Sequence, residues 1–135
     1  MHDPSRLFSL DDFDAETYLR VLILVVKVHG IEPVERSFVE SRARILGAEH
    51  EHLWDETIEE LPPLPEGMSD MTRRVVLRDC VLIACLDGEY SDTERAWIHR
   101  ICDWLGLSHT TADLFEDWFH RYFDLIDEQE ALLWG

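Results

Sequence analysis

Three carboxylates set about one turn, Asp87, Glu89 and Glu94, are the residues of this chain whose types and spacing suit chemistry most directly. They lie in the run Asp87-Gly88-Glu89-Tyr90-Ser91-Asp92-Thr93-Glu94. Carboxylate oxygens suit hard cations, and Asp87, Gly88, Ser91 and Glu94 fall at the fifth, sixth, ninth and twelfth places of an EF-hand calcium loop. The first and third places are Ile83 and Cys85, which bring no carboxylate, so ligand count excludes a full calcium cage. What remains open is calcium or another divalent cation, partly hydrated and weakly held, at Asp87, Glu89 and Glu94. The same residues have a purely structural reading. Gly88 ends one helix, and Ser91 to Glu94 is a capping box, in which the Ser hydroxyl and the Glu carboxylate satisfy orphaned backbone N–H groups. The box is complete and the calcium ligand set is not, which favours capping over the ion.

A second metal chemistry is suggested by Glu49 with His52 and Asp117 with His120, each an acid and a histidine three residues apart, as in the halves of a carboxylate-bridged di-iron site. Such a site, serving a metal-dependent enzyme or a metal-handling protein, needs two further carboxylates in a bundle interior. The surrounding sequence is charged like a solvent face. His50, His99 and His109 have no evident partner and read as surface residues. There is no phosphate-binding glycine loop, no nucleophile elbow, no HExxH and no CxxC, and Cys80, Cys85 and Cys102 sit in apolar helical stretches as small hydrophobes. A covalent or nucleotide-dependent enzyme is disfavoured. The Glu-Arg pairs at 35–36 and 94–95 read as ligand plus counter-ion or, better, as structural ion pairs in which each arginine ties down the other half of the molecule. Of five tryptophans, Trp97, Trp104 and Trp118 are expected to pack, while Trp54 and Trp134 flank acidic segments as an exposed protein-binding patch would.

The elements that must position these residues are written twice. VLILVVKVHGIEPVERSFVESRARILG and CVLIACLDGEYSDTERAWIHRICDWLG share an apolar run closed by glycine, a turn, Glu-Arg, and a helical stretch ending in Leu-Gly. Such a repeat implies two like helical units that bury their apolar faces against each other. Residues 14–29 and 70–87 are predicted as the central apolar helix of each half. Helices over 33–46, 49–60, 92–105 and 108–126 follow, with a short last one at 131–134, about seven in all and no strand. Val34, Phe38, Ala43, Ile45 and Leu46 are the expected core residues of the 33–46 helix, and Leu114, Trp118, Tyr122 and Leu125 the apolar residues of the 108–126 helix. The expected organisation is one all-α bundle over residues 1–135: repeat one at 14–60, a proline-stiffened connection at 61–69, and repeat two at 70–126.

Composition limits the partners. The chain has 135 residues, and 12 Lys+Arg against 29 Asp+Glu give a formal charge of −17, which repels nucleic-acid backbones and anionic lipid. Metal cations, a basic protein surface or solubility alone suit that excess. No apolar run approaches the ~20 residues that span a bilayer, the amino-terminal stretch lacks a signal-peptide pattern, and three cysteines form no disulfide framework. A cytoplasmic location is expected.

The signature of apolar helix, Asp/His-Gly, acidic turn, Glu-Arg and Leu-Gly resembles the tellurite-resistance TerB family and its TerB-like superfamily, most clearly in ACLDGEYSDTERAWIHRICDWLGLS and more loosely over residues 19–120. The resemblance implies a helical domain of two related halves, a non-enzymatic stress-response or adaptor module, and acidic surface clusters that bind metal ions such as calcium. The family's acidic turn falls on Asp87, Glu89 and Glu94, and in the first copy on Glu32 and Glu35, with His29 standing where the matching Asp belongs. The expectation is a cytoplasmic TerB-like interaction module with an unknown protein partner and no nucleic acid. A metal-dependent protein is the alternative, and an acidic inhibitor or nucleic-acid mimic is a third.

Overall fold

The computed structural model describes residues 13–56, 60–86 and 90–135. Six helices account for all regular structure among them: α1 (Ala15–His29), α2 (Pro33–Leu46), α3 (Glu51–Trp54), α4 (Asp70–Cys85), α5 (Asp92–Leu105) and α6 (His109–Trp134). The order of the helices follows the sequence repeat, with α1-α2-α3 followed by α4-α5-α6. Each half begins with a helix whose side chains are buried on nearly every side, as an unbroken apolar run requires. In α1 these are Tyr18, Leu19 and the unbroken run 21–26, and in α4 they include Val75, Val76, Leu77, Cys80, Val81, Ile83, Ala84 and Cys85. α1 and α4 pack against each other at the centre, α2 and α5 flank them, and α6 lies along α4 and α5.

Helix ends follow local rules. Asp14 accepts the Thr17 N–H at the start of α1, Ser69 accepts that of Thr72 at the start of α4, and Pro33 opens α2, where its missing N–H removes nothing. α2 and α5 stop in the same way. Gly47 and Gly106 adopt φ of 65° and 72°, which lets the next residue, Ala48 or Leu107, donate its N–H back to Ala43 or Cys102. The proline-rich connection is fastened to α5 by Trp104, whose indole N–H donates to the Pro62 carbonyl at 2.7 Å.

Four expectations are corrected. The segments 108–126 and 131–134 form one continuous α6, because Asp127-Glu128-Gln129-Glu130 contains nothing that breaks a helix and three good helix formers; the helices among the described residues number six. α3 is one turn and not the expected three. In α2, Val34 and Ile45 face solvent, and the buried positions are Glu35, Val39 and Ala43, with Phe38 and Leu46 packed at the edge of the core. Trp118, expected to pack, is exposed along with Leu114, Tyr122 and Leu125, since α6 turns Ala112 and Phe119 to the core and leaves a second apolar stripe outside.

Candidate functional site

The acidic turn divides between described and undescribed residues. Asp87, Gly88 and Glu89 lie outside the described residues, and Glu94 lies within them. Glu94 is buried at the third position of α5, and its Oε1 accepts both the Ser91 N–H at 3.2 Å and the Ser91 hydroxyl at 3.1 Å, while Ser91 Oγ accepts the Glu94 N–H at 3.1 Å. The capping box is thus formed in full. In the first half, Glu35 is buried at the matching position of α2, and Glu32 is the exposed residue before Pro33, with no side-chain capping bond.

Glu49, His52, Asp117 and His120 are not gathered. His52 stands 3.8 Å from Glu16, Asp117 pairs with Arg121 at 3.1 Å, and His52, Asp117 and His120 are exposed. No group of three or more His, Cys, Asp and Glu side chains among the described residues is placed to hold a metal ion. All three histidines expected to stand alone have neighbours, His50 accepting the Trp54 indole N–H at 3.1 Å. His99 and His109 stack with ring centroids 4.2 Å apart, and His109 meets Asp103 at 2.8 Å.

The paired arginines act within their own halves and do not cross between them. Arg36 lies over the Trp54 ring and pairs with Glu40, tying α2 to α3; Arg95 lies over the Tyr90 ring and grips Glu116 with two bonds of 2.8 and 3.0 Å, tying α5 to α6. Trp54 is accordingly buried, against expectation, with its indole N–H donating to His50. Burial lifts the Tyr90 hydroxyl above the usual phenol range, with Glu116 adding to the effect. Arg20 holds the Glu56 carboxyl below its ordinary range through bonds of 2.9 and 3.0 Å. The Cys102 thiol is pushed up to about 11 by burial, and that of Cys80 also rises, so both are packing groups and not nucleophiles.

Two features escaped the sequence reading. One is Asp79, fully buried on α4. It accepts the Tyr18 hydroxyl of α1 at 2.6 Å and the Nε–H of Arg78 at 3.0 Å, with Arg42 of α2 at 3.8 Å. Burial, reinforced by the Asp79 charge, drives the Tyr18 hydroxyl well above the phenol range and keeps it protonated as a donor. The other is an open groove of about 620 Å³ between α4 and α6, lined by Arg74, Arg78, Thr111, Leu114, Phe115, Trp118 and Arg121. Its floor is apolar and its rim is three guanidinium groups. Arg74 and Arg121 each hold an exposed carboxylate one turn back on their own helix, Asp70 and Asp117. The signal for this groove was present: Arg74 and Arg78 are one turn apart, and Leu114, Trp118 and Leu125 recur at helical spacing on a face that does not include Ala112 and Phe119.

Residues 55–117 match the family model described as Tellurite resistance protein TerB. Over those residues the chain is similar to the TerB family. The TerB segment takes in the proline-rich connection, α4, the acidic turn, α5 and the first part of α6, and therefore most of the groove. α1, α2 and the far end of α6 lie outside it. No curated protein and no solved structure matches the chain. No helix among the described residues is long and apolar enough to cross a membrane.

Proposed function

We propose that this chain is a non-enzymatic, cytoplasmic TerB-like module of stress response that works by docking a protein partner on the α4–α6 groove. The observation that carries this reading is the groove itself. It combines Leu114 and Trp118, both at least half exposed, with three of the chain's 12 Lys+Arg in a molecule of net charge −17. An exposed Trp flanked by arginines is the composition of an interface centre. A trough between two helices, apolar inside and cationic at the rim, accepts an amphipathic helix that presents Leu or aromatic anchors among acids.

The test is capture from the native cell by the wild-type chain and by Arg74→Glu combined with Arg121→Glu, both exposed substitutions that keep the fold. The expected result is a partner retained by the wild type and lost by the variant, with a third variant at the acidic turn, Asp92→Asn, retaining it. Retention by all three chains excludes the groove as the docking face.

A further inference from the structure

We infer that a second copy of this chain is the groove's partner, with its own end of α6, residues 124–135, lying in the trough. This rests on the reading of the groove as a docking face. Every residue from 124 to 135 is exposed, although the helix continues to Trp134. Leu132, Leu133 and Trp134 are 78, 77 and 85 % exposed, the most uncovered large apolar side chains among the described residues, and Leu125 and Ile126 lead up to them. A helical arm with this much bare apolar surface calls for cover.

The arm has the chemistry that the groove fits. It carries Asp124, Asp127, Glu128 and Glu130 and no Lys or Arg, so an acidic, Leu- and Trp-bearing helix matches an apolar trough on the same chain whose polar groups are arginines, two of them held only by exposed pairs within their own helix. It cannot fill its own groove. α6 lines that groove and then runs on unbroken, with no Gly or Pro between His109 and Trp134, so Trp134 stands ~24 Å along the axis from Trp118. A second molecule removes the difficulty. Leu114, Trp118, Arg121, Leu125, Glu128 and Leu132 recur at alternating spacings of four and three, the seam along which two helices pack. Antiparallel pairing of two α6 helices about Phe123 sets Leu114 against Leu132 of the second copy and Trp118 against its Glu128. It brings Arg121 within a turn of that glutamate, and the contact is reciprocal, as two-fold symmetry demands.

Sedimentation equilibrium from micromolar to millimolar protein tests this. The wild type should show a reversible monomer–dimer equilibrium. Arg74→Glu with Arg121→Glu, and separately Asp124→Arg with Glu128→Arg, should each weaken it at least about tenfold. An equimolar mixture of the two variants should dimerise again, because each reversed surface then meets its opposite. Leu125→Ser with Leu132→Ser, both exposed on the arm where folding is not at stake, should weaken it likewise. A wild type that stays monomeric throughout, a dimer indifferent to these changes, or a mixture that fails to re-form overturns the inference. If self-association is absent while groove reversal still abolishes capture from the cell, the second copy is the wrong partner and the docking face stands. If capture is also indifferent to groove reversal, both readings fall.

Discussion

Asp79 shows how much one carboxylate can organise. It reaches Tyr18 on α1 and Arg42 on α2 from α4, so the two halves are joined at their centre by a polar network as well as by apolar contact. Arg42 and Arg78 stay partly exposed, which keeps their charge hydrated while the carboxylate is fully buried. Replacing Asp79 by Ala leaves the Tyr18 hydroxyl inside without its acceptor and strips two guanidinium groups of their counter-ion. The expected loss is about 3 kcal/mol in urea unfolding, against about 1 kcal/mol for Tyr18→Phe, which removes only a neutral donor. Equal effects of the two substitutions would show that the arginines gain nothing from Asp79. In the sequence, Asp79 is the one acid between Val75 and Leu86, a signal that periodicity alone passes over. The Ser91–Glu94 box was legible because its chemistry is local: two residues three apart determine it without help from the rest of the fold.

At the scale of elements, the glycine stops were legible for the same reason, and their environments now separate them. Gly47 and Gly106 both need a left-handed backbone, but a Cβ at Gly47 meets nothing within 4 Å, whereas one at Gly106 comes 3.2 Å from Arg73 Nη1. That arginine donates to the Leu105 carbonyl at 3.1 Å and so closes the end of α5. Gly47→Ala is expected to cost about 1 kcal/mol for the backbone alone. Gly106→Ala should cost more, because Arg73 must shift from its carbonyl, and thermal unfolding of the two variants side by side measures the difference. What could not be read was the fate of each helix face. Val34 and Ile45 of α2, and Leu114 and Trp118 of α6, have the same apolar character as core residues, and only the placement of neighbouring helices decides which are covered. The same holds for α3 and α6, which occupy like places in the two halves. α3 ends after one turn, while α6 runs for 26 residues.

That asymmetry has its consequence in the whole molecule. Two like halves build a core sufficient for folding, and what the second half has in addition, the long α6, creates both an apolar groove and an apolar arm. The formal charge of −17 described the surface as a whole and concealed a local gathering of arginines, since Arg74, Arg78 and Arg121, each paired with an aspartate, line one groove between α4 and α6. A charge total bears on long-range repulsion from nucleic acid and anionic membrane and does not identify what lines one groove. The family match falls on the second half, which carries the groove, while the first half supplies α1 and α2 as its support. Site-specific photo-cross-linking in the native cell puts this directly to the test, with a photoreactive aromatic residue in place of Trp118 on the groove or of Asp92 beside the acidic turn. Protein adducts, to a second copy or to another chain, are expected from position 118 and not from position 92. Adducts confined to position 92, with none from position 118, would contradict the assignment of the groove as the docking face.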